Sequence, residues 1–264
     1  IYYMKILLII IIIIILLFFI KKKETFKINI NGLNSFDKIL YINLSHRKDR
    51  KKQILSEFKK YGIKKDKIKR IDGVHEKYNG HIGVCKSQIK ALEYAKKKKY
   101  KNIIIFEDDF VFTKSKTEVT QLINNVLKDF PHEWDVIMLT TIFTDLKNIK
   151  DVDYLKKIIY AQSATGYIIK NEYYNTLINV LKESLSKMEE EMSEYKKKNP
   201  NKKKYETSYA FDQYWKKLQK KDNWYVFNPY IGKDSGMGNS SIMGGVEAFI
   251  NYFKEDFTGY ILNI

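Results

Sequence analysis

Cysteine is nearly absent from this chain. Cys85 is the only one in 264 residues, so no intrachain disulfide can form and no cysteine-based zinc site can be built. The fold must therefore hold by packing. Proline and glycine are also scarce, at 3 and 12, which excludes collagen-like repeats, low complexity and a string of flexible linkers. Arginine is rare beside lysine even though the net charge is +17. Arginine is the usual reader of bases and phosphates, so the charge reads as solvated lysine faces rather than a binding stripe. The lysine runs at 96–99, 196–198 and 202–204 fall where helix ends and loops are expected. Nucleic acid is not expected as a partner, though a basic surface would still draw an anionic substrate. No histidine follows His132, so any late metal ligand has to be an oxygen.

What is abundant is apolar. Hydrophobic residues make up 44% and aromatics 14%, ample for a real core, and the length suits one large domain. The longest apolar run stands apart at the N-terminus. Ile6–Ile20 carries no charge and is flanked by Lys5 and Lys21–Lys23. A helix of that length spans roughly 22 Å, short of the roughly 30 Å hydrocarbon core, and flanking lysines can snorkel across part of the gap. A cleaved signal peptide is the alternative, but charged residues stand where a small-residue cleavage site would be needed. Residues 1–23 therefore read as an anchor or uncleaved signal, with residues 4–23 meeting the membrane. Residues 24–37 read as a stalk, 38–250 as the main domain and 251–264 as a tail. Membrane attachment leaves the side open: the lysine balance favours the cytoplasmic face, a type II anchor the lumen.

From Lys38 the pattern alternates. Lys38–Leu44 reads as a buried strand and Arg47–Tyr61 as an amphipathic helix. Ile68–Val74 reads as a strand, Val84–Lys98 as a helix and Asn102–Phe106 as a strand. A helix over Lys116–Asp129 and a strand over Asp135–Leu139 come next. Further on, Ile158–Ala161 and Gly166–Ile169 look like short strands, Asn171–Tyr195 and Tyr209–Lys220 like helices, and Trp224–Phe227 like a strand. Ile231–Gly245 is a Gly/Ser-rich loop. This alternation predicts an α/β domain with a mostly parallel central sheet, in which ligands bind beyond the carboxyl ends of the strands.

At one such end stand Glu107, Asp108 and Asp109 together. Adjacent carboxylates repel by about 4 kcal/mol at 4 Å and an effective dielectric near 20, so a cation is the natural compensation. Oxygen ligands suit Mg2+ or Mn2+, above all when a substrate adds phosphate oxygens. A helix cap with spare acids in solvent is the plainer alternative, but Phe110–Phe112 continues as an extended segment.

Three stretches also resemble a known family. "YINLSHRKDR" (Tyr41–Arg50), "GHIGVCKSQ" (Gly80–Gln88) and "IIIFEDDFVF" (Ile103–Phe112) are similar, in order and spacing, to motifs of glycosyltransferase family 25. That family includes lipooligosaccharide and procollagen galactosyltransferases. A weaker likeness continues through "AQSATGYIIK" and "FDQYWKKL" to "GKDSGMGNSSI". The resemblance implies a GT-A type nucleotide-sugar-binding fold, a UDP-sugar donor, Mn2+ or Mg2+, and inverting transfer of a hexose, galactose or glucose, to a glycan or protein hydroxyl. On this resemblance Asn43, Arg47 and Arg50 would hold the nucleotide or its diphosphate, with a plain helix start as the alternative. Gly80 and Gly83 would let the backbone approach the donor, or form an ordinary turn. Ser87 and Gln88 would contact the nucleotide or face the core, and Glu107 and Asp108 would support the metal site or touch ribose and sugar hydroxyls. Asp109 is the first candidate for the metal, and with no late histidine the other late ligand is Asp234, a neighbouring loop oxygen or water.

Asp212, an acid in an aromatic setting at a helix start, is the candidate base, with Asp145 and Asp234 behind it; an ordinary helix N-cap is the alternative for Asp212. Trp215, Tyr209 and Tyr214 are candidates to stack on an acceptor sugar, although aromatic residues on a helix more often belong to the core. The sequence departs from the pattern at Gln88, where the family has histidine, at Val84, where it has cysteine, and at His46, in place of one arginine of a pair. Glutamine hydrogen-bonds but does not titrate, which keeps a second reading open: a non-enzymatic glycan- or partner-binding member of the same fold.

Overall fold

The computed structural model describes residues 31–202 and 207–236. Contacts divide the chain at Asn31, and the larger unit begins at Gly32. The expected anchor (1–23) and tail (251–264) lie outside the described residues, among which no helix is long and apolar enough to cross a membrane.

The first half is built as the sequence pattern predicts. Strand β1 (Lys38–Asn43) leads into α1 (Lys48–Lys60), β2 (Ile68–Asp72), α2 (Gly80–Lys97) and β3 (Asn102–Glu107). β1 pairs in parallel with β2 on one side and β3 on the other, so that Tyr41 faces Arg70 and Phe106. These strands read as unbroken apolar runs because both faces of the sheet are covered. Leu40, Ile42, Ile103 and Ile105 join α2 in one core cluster, while Ile39, Tyr41, Ile104 and Phe106 join α1 in the other.

The rest comprises β4 (Phe110–Phe112), α3 (Lys116–Lys128), β5 (Val136–Met138), β6 (Ile142–Ile149), β7 (Val152–Gln162) and β8 (Gly166–Lys170). Then come α4 (Asn171–Lys198), α5 (Phe211–Tyr214), α6 (Lys216–Gln219), β9 (Trp224–Phe227) and β10 (Gly232–Asp234). α3 starts on a capping box, in which Ser115 and Glu118 satisfy each other's backbone N–H. The eight-stranded sheet has the order β2-β1-β3-β8-β5-β9-β7-β6, and β4 with β10 forms a separate ribbon. By their pairing, β2, β1, β3, β5, β9 and β6 run one way and β8 and β7 the other. It is a mixed α/β fold with a large, mostly parallel central sheet. α1 and α3 pack on one face, α2 and α4 on the other.

Several boundaries differ from the sequence pattern. α2 begins at Gly80 rather than Val84, because the Asn79 side chain accepts from His81 N (2.9 Å) and starts the helix early. The β6–β7 hairpin is longer than expected; register shifts along it break the period of two that reveals a strand. The expected helix over 209–220 is two short turns. Gly232–Asp234, expected as loop, pairs as β10. Leu33 and Phe36, placed in the stalk by the sequence, pack into the core.

Candidate functional site

The strand order fixes where a site can lie. β2 sits to one side of β1 and β3 to the other, so the chain leaves the carboxyl ends of β1 and β3 in opposite directions and opens a crevice between them. A cavity of about 100 Å³ lies there. Asn43, Arg47, Arg50, Ser87 and Glu107–Asp109 line it, together with the loop from Gly73 to Glu76.

A hydrogen-bonded network runs across the three strand ends. Asn43, buried at the end of β1, donates from Nδ2 to Asp108 Oδ2 (2.6 Å) and to Arg47 O (3.0 Å). Its Oδ1 accepts from Arg70 Nε (3.0 Å), and its backbone carbonyl accepts from Arg70 Nη2 (3.0 Å). Arg50, on the first turn of α1, places Nη1 2.7 Å from Asp109 Oδ2 and 3.3 Å from Asp108 Oδ1. Arg47 pairs with Asp49 at 2.7 Å, and that pairing holds the exposed Asp49 carboxyl well below its usual range.

All three arginines of the chain, Arg47, Arg50 and Arg70, thus gather at this one end of the sheet, in a protein whose other cations are all lysine. Arg47 and Arg70 each hold two oxygens through two different nitrogens of a planar fork, which an ammonium cannot do, and this accounts for arginine at those two positions.

The carboxylates are under electrostatic pressure. Burial, then the Asp109, Asp108, Asp212 and Asp234 charges, push Glu107 well above the usual carboxylate range. Asp109 is pushed up to about 6 by burial and by Asp234, against the opposing pull of Arg50. Asp234 reaches Asp109 because β10 pairs with β4 so that Asp234 stands opposite Phe110. Gly232 makes that approach possible: a Cβ there would lie 2.0 Å from the Phe110 ring. Ser235 N also donates to Asp109 O (2.8 Å).

These residues fit a hard divalent cation. Asp109 Oδ1 is buried without a hydrogen-bond partner, and Asp234 supplies a second carboxylate nearby. No group of three His, Cys, Asp or Glu converges on a metal position among the described residues, so any cation here would take its remaining ligands from water and substrate phosphate.

Other expected site residues have more structural surroundings. Gly83 lies within α2, and a Cβ there would sit 2.5 Å from Val74 O, so the glycine lets the Gly73–Glu76 loop lie on the helix. Ser87 Oγ donates to Gly83 O (2.7 Å) and accepts from Val74 N (2.8 Å), tying down the same loop. Gln88 is fully buried between Glu107 and Tyr167. The thiol of Cys85 is buried and pushed up to about 12, which leaves it inert as a nucleophile.

Asp212 lies on the first turn of α5 and caps no helix; its Oδ2 accepts from Ser163 N (3.2 Å). Ser163 has a φ of 83°, a left-handed conformation that costs a non-glycine residue about 1–3 kcal/mol. Asp212 does not line the cavity, but its charge acts on Glu107. Asp145 is exposed on β6. Trp215, a candidate for stacking on an acceptor, is fully buried between Tyr167, Phe211 and Trp224 and is unavailable; Tyr209 and Tyr214 are partly buried against the same core. Arg70 and Tyr167 are additions that the sequence reading does not contain. The scarcity of arginine is a usable signal for Arg70; nothing local marks Tyr167, which reads as an ordinary strand aromatic.

No protein-family model matches the sequence, and a search of curated protein sequences found no match. The family resemblance therefore rests on its three motifs. Among solved structures, an apo UDP-glucose pyrophosphorylase is similar at 10% identity, over 83% of this chain and 82% of that one, with a TM-score of 0.41. The mannose-1-phosphate geranyltransferase of Thermus thermophilus is similar at 8% identity over 71% of this chain and 58% of that one, with a TM-score of 0.38. A Drosophila galactosyltransferase solved with manganese, UDP-Gal and xylobiose is similar at 12% identity over 53% and 51%, with a TM-score of 0.30. These likenesses are distant, and the functional reading rests on the geometry of the site itself.

Proposed function

We propose that this chain binds a UDP-sugar in the crevice between β1 and β3 and transfers its hexose, galactose or glucose, with inversion to a hydroxyl of a glycan or protein, using Mn2+ or Mg2+. The observation that carries this reading is the set of carboxylates at the point where the strand order reverses. There Asp109 has a buried oxygen without a partner, and Asp234 is brought beside it by β10. The cavity lining supports a cation as well. Two guanidinium groups, Arg47 and Arg50, stand against four carboxyl groups, Glu76, Glu107, Asp108 and Asp109, so a diphosphate would meet little net positive charge without a metal.

In this reading Asp109 and Asp234 hold the metal, which supplies Lewis-acid stabilisation of the leaving diphosphate. Asn43, Arg47 and Arg50 bind and orient the nucleotide, and the buried network around Asn43 keeps them in register. Asp212 takes the proton from the acceptor hydroxyl as its oxygen attacks the anomeric carbon and UDP leaves. The chain is attached to a membrane through residues 4–23.

The test is calorimetric titration with a panel of UDP-sugars, with and without Mn2+, followed by assay of sugar release. Metal-dependent binding and turnover that Asp109→Ala abolishes are expected. A folded wild-type protein that neither binds nor turns over any UDP-sugar overturns the reading.

One observation favours a second reading, a non-enzymatic glycan- or partner-binding protein. Arg50 already engages both Asp108 and Asp109, as a permanent substitute for a metal would. That reading predicts metal-free glycan or partner binding that Asp109→Ala leaves unchanged.

A further inference from the structure

Three polar side chains from three different elements stand in line behind the cavity. Tyr167 on β8 donates from Oη to Gln88 Oε1 (2.9 Å), and Gln88 on α2 donates from Nε2 to Glu107 Oε1 (3.3 Å) at the end of β3. Tyr167 and Gln88 are both fully buried, and of the three only Glu107 lines the cavity. We propose that Tyr167 and Gln88 are positioning residues, a relay that fixes the Glu107 carboxyl group so that its second oxygen hydrogen-bonds a hydroxyl of the bound nucleotide sugar. The inference rests on the reading that the crevice takes a UDP-sugar.

The relay has a direction. The Tyr167 hydroxyl occupies the carbonyl end of the Gln88 amide, so the N–H end faces Glu107. The Tyr167 ring is held edge-on to the buried Trp215 at 6.0 Å between centroids, which fixes the origin of the relay. Gln88 therefore has no surface with which to touch a ligand, and its influence on one must pass through Glu107. The Glu107 carboxyl group receives no other hydrogen bond among the described residues, which leaves its second oxygen for a group in the cavity. A carboxyl oxygen so placed suits a hydroxyl, which both donates and accepts, from the ribose or from the hexose.

Packing alone does not explain the arrangement. Two buried polar side chains with apolar isosteres of similar volume are costly to bury unless satisfied, and replacing both is often nearly neutral for stability. The tie to Glu107 is what an apolar pair would lose.

Titration calorimetry with UDP and with UDP-glucose, in the presence of Mn2+, tests the relay on Tyr167→Phe, Gln88→Met, Glu107→Gln and the two double variants. Melting temperatures are recorded alongside, with Cys85→Ala as a packing control on the same helix. Tyr167→Phe and Gln88→Met are each expected to weaken binding about 3–10-fold, and to have no further effect once Glu107 is Gln. Cys85→Ala lowers the melting temperature without weakening binding. Loss with both ligands assigns the hydroxyl to ribose, and loss with UDP-glucose alone assigns it to the hexose.

Folded variants that bind within about twofold of wild type overturn the relay, as does an undiminished loss in the Glu107→Gln background or an equal loss in Cys85→Ala. If wild type binds neither ligand, the nucleotide-sugar reading falls and the relay with it.

Discussion

Arg50 holds Asp109 at 2.7 Å from a side chain that is itself only 11% exposed, and the same nitrogen reaches Asp108 at 3.3 Å. One guanidinium thus offsets two consecutive carboxylates that would otherwise repel each other. Removing one partner of such a pair leaves buried charge uncompensated. Arg50→Lys keeps the charge but puts it on a shorter side chain that does not reproduce the position of Nη1 between the two carboxylates, and is expected to destabilise the fold by about 1–3 kcal/mol at pH 8. At pH 5 the loss is smaller, because Asp109 then takes up a proton and the repulsion falls. Urea denaturation of both proteins at the two pH values measures the difference.

Asp109 gives a second pH dependence with a definite sign. Its carboxyl sits at about 6 in the folded chain against an ordinary value of 3.8, raised chiefly by burial and Asp234. A raised carboxyl keeps its proton in the folded state after the unfolded chain has lost it. Its contribution to stability is therefore complete below about pH 4 and lost as pH rises through about 6. A cation needs the ionised form, so Mn2+ affinity is expected to climb between about pH 5 and 7 and then level off. Asp234→Asn removes the second-largest cause and moves the midpoint of the proton effect downward, while weakening binding at the plateau. Mn2+ titrations from pH 5 to 8 on both proteins check this.

The first half of the fold and its acids are legible in the sequence because the relevant signals are local. β1 and β3 are apolar on both faces, which betrays buried parallel strands, and three acids closing β3 break that run at its carboxyl end. The second half is not, because its determinants lie far apart. β8 runs antiparallel between β3 and β5, and only hydrogen bonds between distant residues fix that direction. Asp234 reads as part of a glycine-rich loop until β10 is seen pairing with β4. The motif leaves Gln88 as either a ligand contact or a core residue, and its buried place beside Tyr167, 79 residues away, is set by tertiary packing that no local signal shows.

Gly83 offers a test of how the cavity is walled. Alanine would set a methyl group 2.5 Å from the Val74 carbonyl oxygen, a backbone atom that can move only with its loop. The Gly73–Glu76 loop, which lines the cavity, would be displaced from α2, and the Val74 N to Ser87 Oγ bond would lengthen. Gly83→Ala is expected to cost about 1–3 kcal/mol of stability and to weaken UDP-sugar binding, despite the higher helix propensity of alanine. Thermal unfolding with and without ligand reports both.

Asp212 separates chemistry from architecture. Its Oδ2 accepts from the N–H of Ser163, a residue in a left-handed conformation whose Oγ lies 2.8 Å from Thr165 Oγ1. The Thr165 carbonyl in turn accepts from Glu107 N at 2.9 Å, so the turn that Asp212 supports leads directly to the cavity. Asparagine keeps an acceptor oxygen for Ser163 but is not a base; alanine keeps neither. If Asp212 draws the proton from the acceptor, Asp212→Asn retains its melting temperature and donor affinity while hexosyl transfer falls about 10²–10⁴-fold. Asp212→Ala loses stability as well, by about 1–3 kcal/mol, through the freed N–H of a strained residue. Transfer that survives in Asp212→Asn and fails only in Asp212→Ala would make Asp212 a support for the Ser163 turn and leave the base to be sought elsewhere. Turnover with donor and acceptor both saturating, read against the melting curves of the two variants, decides between these outcomes.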